Sequence, residues 1–258
     1  MQKQLSEVFS YREMLYSSVR KDLRSRYRGS FLGFLWTFLN PLLQLVIYSI
    51  VFPRLLKVPE ENYPMYVFIG LLPWIYFSST LSIATGSIVS NGSLVKKIYF
   101  PRLIIPLAAS ATGLINYLFG LVITLAALIV TRIYFSAFIF IMPVIMLVQF
   151  LFVTGLAFML SAFYVFFRDL EHIVNIVTMA WFYLTPVVFS IKVFPENAQR
   201  IFMLNPMTQF LIAYRDVLLY KQLPDLAEMA ITTAVSVILF ILGIYIFSRL
   251  QRSFAEEI

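Results

Sequence analysis

The chain has 258 residues, of which 60% are hydrophobic and only 13% are charged. A soluble domain of this length carries about twice that charged fraction, so the composition predicts an all-α polytopic membrane protein. The lack of cysteine excludes disulfides and thiol chemistry. The net charge of +7 does not indicate a nucleic-acid partner, because the basic residues gather at the ends of apolar runs.

The first 30 residues predict an amphipathic helix that lies in the membrane interface. Apolar residues recur every four positions, at Tyr11, Leu15, Val19, Leu23 and Tyr27. Arginines repeat at the same interval on a neighbouring stripe, at Arg20, Arg24 and Arg28. Such a helix places its apolar side in the acyl boundary and its arginines towards anionic head groups. The segment is either an anchor alone or an anchor that also forms a docking surface for a partner.

Hydropathy predicts six transmembrane helices. They lie near residues 31–52, 63–90, 104–131, 137–165, 172–190 and 227–248. An even number of spans puts both termini on one side of the membrane. That side carries 13 Lys and Arg residues and the other side carries 7, so we expect both termini to be cytoplasmic.

The cytoplasmic loop at residues 91–102 predicts a short exposed helix. Ser93 is a candidate N-cap and Pro101 would end the helix. The loop would then present Lys96, Lys97, Tyr99 and Phe100 to the cytoplasm. Solvated loops seldom expose apolar residues in succession, so the pattern favours a protein partner, with a membrane-dipping turn as the alternative.

Residues 191–222 predict a different kind of segment. The run from Ile201 to Tyr214 is apolar enough to enter a membrane but too short to cross it, and Asn205-Pro206 interrupts it. We interpret the segment as two short external helices that could re-enter the membrane and that pack against the outer mouth of a pathway. An ordinary external loop is the alternative.

The sequence lacks the residues that several membrane functions require. No acidic or basic residue lies in the middle of a predicted span, which weakens an ion-coupled transporter without excluding one. His172 is the single histidine, and no carboxylate pair suits a metal site, which disfavours a lipid-processing enzyme. The chain also has no GxxxxGK[ST] phosphate loop, so any driving nucleotide must be bound by another chain.

Five motifs in chain order resemble the membrane subunits of ABC-2-type polysaccharide exporters, which export O-antigen, capsule and teichoic-acid chains. They are RYRGSFLGFLWTFLNPLLQ (Arg26 to Gln44), NGSLVKKIYFPRLIIP (Asn91 to Pro106), FFRDLEHIV (Phe166 to Val174), LTPVVF (Leu184 to Phe189) and LNPMTQFLIAYRDVLL (Leu204 to Leu219). Together they extend over nearly the whole chain. The resemblance implies a bacterial plasma-membrane exporter built from two copies of this chain and two copies of a separate ATPase that binds ATP and Mg²⁺.

The resemblance also implies roles for particular residues. The loop helix would be the coupling helix, and the ATPase contacts would be Ser93, Leu94, Lys96, Lys97, Ile98, Tyr99, Phe100, Arg168 and Asp169. Spans one and five would line the conduit with the aromatic residues Phe31, Phe34, Trp36, Phe38, Tyr48, Trp181, Phe182 and Tyr183. Residues near 195–222 would form external gate helices that include Asn205, Pro206 and Arg215. Packing or lipid contact is the alternative role for each aromatic side chain.

A lipid-linked glycan would approach from the cytoplasmic leaflet. Its phosphates would meet Arg20, Arg24, Arg26 and Arg28, because arginine matches phosphate oxygens with two parallel hydrogen bonds. Two alternatives stay open at this point. The chain could be an ion-coupled or stand-alone lipid flippase, or a drug exporter of the same superfamily.

Overall fold

The computed structural model describes residues 2–25, 33–55 and 62–258, and every regular element in these ranges is a helix. The α-helices are α1 (Gln2–Ser10), α2 (Arg12–Ser25), α3 (Trp36–Leu55), α4 (Tyr63–Ser90), α5 (Gly92–Lys97), α6 (Ile104–Val130), α7 (Met142–Phe166), α8 (Leu170–Tyr183), α9 (Glu196–Met203), α10 (Pro206–Arg215), α11 (Leu226–Leu250) and α12 (Phe254–Glu257). Short 3-10 turns cover Gly33–Leu35, Ala137–Ile141, Ile191–Val193 and Gln251–Ser253, and a π-helical turn covers Asp216–Tyr220.

Four helices in the described part of the chain are long and apolar enough to cross a membrane. They are Tyr63–Ser90, Ile104–Val130, Ala137–Phe166 and Leu226–Ser253, and they coincide with the second, third, fourth and sixth predicted spans. The helix α8 has 14 residues and rises about 21 Å, which is less than a hydrocarbon core of about 30 Å. Neither the first nor the fifth predicted span is among the four helices, so both stay predictions, while a helical integral membrane protein is supported for the described part of the chain.

The helix α4 is the centre of the bundle. It packs against α3, α6, α7, α8 and α10, and most of its side chains are buried around the whole helix. An apolar helix that is buried on all sides belongs to the interior of a protein. The long helices α6 and α7 flank α4, whereas α11 packs against α7. The position of α4 determines which faces of α3 and α8 stay open.

The helices α7 and α11 touch through their backbones. A Cβ added at Gly155 would lie 2.7 Å from the backbone carbonyl atoms of Leu239, and Gly243 lies directly against the carbonyl of Gly155. Small residues permit such close approach between helices in membranes. Where α4, α6 and α7 meet, the buried alanines Ala84, Ala109 and Ala157 serve the same purpose.

The amphipathic N-terminal segment is helical but divided. A turn at Tyr11 separates α1 from α2, and α2 packs against α6 with Val19 buried. Arg20 and Arg24 lie exposed on α2. The position of this segment in the membrane interface stays a prediction.

Candidate functional site

The side chain of Arg215 is buried, with an exposed fraction of 2%, where α10 meets α4 and the segment after α8. Its guanidinium donates hydrogen bonds to the carbonyl oxygens of Pro186 at 2.6 Å, Val187 at 2.7 Å and Tyr66 at 3.1 Å. It also donates to the Tyr66 hydroxyl at 2.9 Å and lies 3.5 Å from the centroid of that ring. The charge is therefore stabilised by oriented carbonyl dipoles and an aromatic face.

The carbonyl oxygens of Pro186 and Val187 can accept these hydrogen bonds because the chain after α8 is not helical. Residues 184–189 form turns and bends, so most of their carbonyl oxygens need donors from outside the segment. Tyr63 donates its hydroxyl to the Val188 carbonyl at 2.7 Å, and Tyr66 donates to the Phe189 carbonyl at 3.0 Å. Two tyrosines of α4 and one arginine of α10 therefore satisfy four successive carbonyl groups. Sequence analysis placed Arg215 in the gate segment, and an arginine within an apolar run was the available signal for this buried role.

Asn205 joins the end of α8 to the beginning of α10. Its side-chain oxygen caps α10 by accepting from the Met207 N–H at 3.0 Å, and it accepts from the Trp181 indole N–H at 2.9 Å. Its amide nitrogen donates to the Leu184 carbonyl at 3.0 Å and the Thr185 hydroxyl at 2.9 Å. Pro206 occupies the first turn of α10, where its missing N–H costs nothing.

The helix α10 reaches the interior of the bundle. The ring of Tyr214 lies 5.8 Å from that of Tyr117, which is the middle residue of α6, and its hydroxyl donates to Gln149 of α7 at 2.8 Å. Gln149 in turn donates to the Pro73 carbonyl of α4 at 3.0 Å. Almost every side chain of α10 is buried. The alternative interpretation, an ordinary external loop, is therefore wrong for the residues of α10. A gating role for this helix stays a prediction.

An open groove runs along the face of the bundle formed by α3, α4 and α8. It encloses about 400 Å³ and combines aromatic with uncharged polar side chains. The lining includes Gln44, Trp74, Ser78, Asn175, Phe182 and Tyr183. Sequence analysis named Phe182 and Tyr183 but missed the others. Polar Gln44 and Asn175 within apolar runs were signals that could have identified this face.

The predicted conduit aromatics divide into two groups. Phe182 and Tyr183 line the groove, and Trp36 is partly exposed on α3. Trp181 instead packs against Phe77 at 5.0 Å between ring centroids, and Phe38 contacts Phe119 at 6.3 Å. Trp181 is therefore partly buried and does not line this groove, and its place in a conduit stays a prediction. Phe31 and the side chains of Phe34 and Tyr48 lie outside the described residues.

The loop between α4 and α6, which was predicted to be cytoplasmic, presents a mixed surface. Tyr99 is 86% exposed, and Ser93, Lys96, Lys97 and Ile98 are also exposed, while Leu94 is half-buried. Phe100 has an exposed fraction of only 5%, so the prediction that it faces the cytoplasm is wrong. It belongs to a buried cluster with residues of α7, α11 and α12, which come from distant parts of the chain. Ser93 lies inside α5 and does not cap it, since Asn91 occupies the N-cap position.

The loop between α7 and α8 and two basic residues of α2 are also accessible. Arg168 and Asp169 are exposed between α7 and α8, as are Arg20 and Arg24 on α2. The predicted phosphate ligands Arg26 and Arg28 lie outside the described residues. In the described part of the chain, no three acidic or histidine side chains gather as metal ligands.

A bundle of apolar helices with an aromatic and polar groove has the architecture of a membrane transport protein. Residues 13–219 match the sequence model of the ABC-2 type transporter membrane family. This match covers more than half of the chain, so the protein belongs to that family.

Relatives extend the match to nearly the full length. The O-antigen export system permease protein RfbA of Myxococcus xanthus is 35% identical over 254 residues, covering 98% of each chain. A protein of the same name from Klebsiella pneumoniae is 31% identical over 245 residues, covering 95% of this chain and 94% of the relative. The polysialic acid transport protein KpsM of Escherichia coli is 30% identical over 76 residues, covering 29% of this chain and 30% of the relative.

Proposed function

We propose that this chain is the permease subunit of an ATP-driven ABC exporter that moves lipid-linked polysaccharide out of the cytoplasm. The names of its relatives and its family membership support the class of transporter. The observation in the structure that carries the proposal is the chemistry of the groove between α3, α4 and α8.

The groove suits a neutral, hydroxyl-rich chain. Aromatic faces such as those of Phe182 and Tyr183 offer flat apolar contact to sugar rings, and the side chains of Gln44, Ser78 and Asn175 offer hydrogen bonds to hydroxyl groups. No Lys, Arg, Asp or Glu lines this groove in the described residues. A surface of this kind holds a sugar chain weakly at many places, which permits it to slide.

The open faces of α3 and α8 are available to a second copy of the chain. Exposed apolar side chains cover both helices, including Leu43 and Ile47 of α3 and Ile173 and Ile176 of α8. Contiguous apolar surface of this size is covered by lipid or by another protein. Two copies facing each other would enclose their grooves as one conduit, with six spans per copy and both termini in the cytoplasm.

The energy source would be a separate ATPase that holds ATP and Mg²⁺. The exposed residues Lys96, Lys97 and Tyr99 form its docking surface at α5, and Arg168 and Asp169 extend that surface to the second loop. Because α5 connects α4 directly to α6, movement of the ATPase would act on the centre of the bundle.

The arginines of α2 and the helices α9 and α10 have roles at opposite ends of the proposed pathway. Arg20 and Arg24 are exposed on α2 and would attract the phosphates of the lipid carrier. The helices α9 and α10 would form the external gate, with Arg215 and Asn205 fixing α10 to the segment after α8.

The test is reconstitution with a candidate ATPase subunit from the same organism. Lipid-linked polysaccharide should stimulate ATP hydrolysis by the complex and should appear on the opposite side of the vesicle. Transport by this chain without an ATPase would favour the stand-alone flippase. Stimulation by hydrophobic drugs, and not by glycolipid, would favour the drug exporter.

A substitution tests the docking surface separately. Tyr99→Asp should greatly reduce co-purification of the ATPase, because it places a charge on the apolar part of the surface. Tyr134→Asp is the matched control, since Tyr134 is 74% exposed in the loop after α6, at the other end of that helix. Equal co-purification with both variants would contradict docking at α5.

A further inference from the structure

The last eight residues fold back against the cytoplasmic end of the bundle. Phe254 is fully buried, with its ring 5.4 Å from that of Phe247 on α11 and 6.2 Å from that of Phe166 on α7. These ring distances are typical of packed aromatic pairs. We call residues 251–258 the C-terminal clamp.

The clamp contacts the first cytoplasmic loop at two places. Arg102, which follows α5, donates a hydrogen bond to the Gln251 carbonyl and lies 6.0 Å from the centroid of the Phe254 ring. At the beginning of α5, a Cβ added to Gly92 would lie 2.5 Å from Cγ2 of Ile258. Both ends of the loop that carries α5 are therefore in contact with the clamp.

The clamp also contacts the second cytoplasmic loop. Arg168 donates to the Glu257 carbonyl at 3.3 Å, and its guanidinium lies 5.5 Å from the centroid of the Tyr164 ring. The Tyr164 hydroxyl donates to the Glu171 carboxylate in the first turn of α8 at 2.9 Å. These contacts connect the clamp to the junction of α7 and α8.

A buried apolar cluster joins the same parts. Val95 and Phe100 of the first loop share it with Phe158 and Val165 of α7 and with Phe254 of the clamp. Protein interiors packed in this way transmit displacement with little compression. A push on α5 therefore has a continuous packed path to α7 and to the beginning of α8.

We propose that the C-terminal clamp is a positioning element that makes the two cytoplasmic loops move as one body. This inference rests on the proposed docking of an ATPase at α5. The clamp delivers the displacement of α5 to α8, which lines the groove but buries only Val174 and Thr178 within its own chain. Without the clamp, the ATPase would still bind and hydrolyse ATP, but less of its displacement would be transmitted to α8.

The first test removes the aromatic anchor of the clamp. In the reconstituted complex, Phe254→Ala should leave ATPase co-purification intact and reduce the amount of glycan transported per ATP hydrolysed by about fivefold or more, as expected for a lost coupling between sites. Phe254→Leu keeps the packing and should restore that ratio. An unchanged ratio in Phe254→Ala would overturn the proposal.

The second test locks the clamp and does not depend on weakening the fold. An ideal Cβ at Gly92 lies 3.9 Å from Cβ of Ile258, within the range of about 3.5–4.5 Å found in disulfides. The chain has no cysteine of its own, so Gly92→Cys with Ile258→Cys gives a single possible pair within the chain. The oxidised protein should form this cross-link and keep transporting, because the clamp and loop move together. Loss of transport on oxidation that a reductant reverses would overturn the proposal.

Controls separate this inference from the proposed function. Gly86→Cys with Ile258→Cys should form no cross-link within the chain, since nothing lies within 4 Å of a Cβ added at Gly86. If the wild-type chain neither binds the ATPase nor transports glycolipid, the proposed function fails. If the wild type does both and Phe254→Ala couples normally, the clamp proposal alone fails.

Discussion

The helices α4 and α8 are both apolar, yet their relations to the rest of the fold are opposite. The helix α4 is buried over most of its surface, and its Tyr63 and Tyr66 hydroxyls donate hydrogen bonds to carbonyl groups of the segment after α8. The helix α8 buries two of its 14 residues and presents isoleucine, valine and methionine outward. Composition alone does not distinguish the two helices, because lipid and protein interior are equally apolar.

Because of this difference, we expect the residues that stabilise the fold and the residues that are available for transport to lie on different helices. Substitutions that disturb α4 or its partners should unfold the chain, since they leave polar groups unsatisfied or force backbones apart. Substitutions on the outer face of α8 should leave the chain folded and change only its association with another copy or with substrate. The experiments below test this division in order of expected effect on stability.

Arg215→Ala should have the largest effect. It leaves the carbonyl groups of Pro186 and Val187 without their donor in a buried place, which should lower the free energy of unfolding by at least about 3 kcal/mol. Arg200→Ala is the control, because Arg200 is exposed on α9 and its loss should cost less than about 0.5 kcal/mol. Thermal unfolding in detergent measures both. Equal stability of the two variants would contradict the role given to Arg215.

Gly155→Ala should come next. The added Cβ would lie 2.7 Å from the backbone of Leu239, so α7 and α11 must separate, at a cost of about 1–3 kcal/mol. Gly86→Ala has open space around it and should be neutral or slightly stabilising, since alanine favours helix. A melting temperature of Gly155→Ala equal to that of Gly86→Ala would show that the two backbones are not in contact.

Asn205→Ala should cost about 1–2 kcal/mol, because it removes the N-cap of α10 and the acceptor of the Trp181 indole. Asn205→Asp keeps both acceptor contacts but loses the donor to the Leu184 carbonyl, so its effect should be smaller. Thermal unfolding in detergent measures the stability of both variants. A larger loss with Asp than with Ala would contradict the capping role.

Ile176→Ser should have the smallest effect on the single chain. Ile176 is 63% exposed on α8, so the expected change in unfolding free energy is within about 0.5 kcal/mol. The same substitution should weaken association of two copies, measured by light scattering in detergent. Val174→Ser, on the buried side of α8, is the matched variant that should destabilise the fold instead. A wild-type chain that is monomeric at all concentrations would refute the proposed conduit between copies.

Long apolar runs made much of this fold predictable. The helices around Gly70, Gly113 and Gly155 lie where the hydropathy placed spans, because such runs have no other stable arrangement in a membrane. The fifth predicted span was less accurate, since α8 ends at Tyr183 and the residues after it form turns. Those turns depend on Arg215 and Tyr66, which are distant in sequence, and local pattern contains no information about such donors.

Contacts with distant parts of the chain also explain why the candidate site was predicted only in part. Phe100 has the local sequence of an exposed loop, but α11, α12 and α7 cover it. Trp181 and Phe182 are neighbours, yet one contacts Phe77 and Asn205 while the other faces the groove. Which side of a helix faces protein is decided by its neighbours, and an evenly apolar helix gives no periodic signal for that choice.

The hydrogen bonds of Arg215 have a consequence for biosynthesis. A cell makes the chain from the N-terminus, so Tyr66, Pro186 and Val187 leave the ribosome before Arg215 does. The carbonyl groups that receive the guanidinium are therefore already made when this charge emerges. An arginine in apolar surroundings is costly until it finds acceptors, and this order shortens the time it spends without them. A circular permutation that places residues 206–220 before α4 would reverse the order and should lower the yield of inserted protein, even though every final contact is the same.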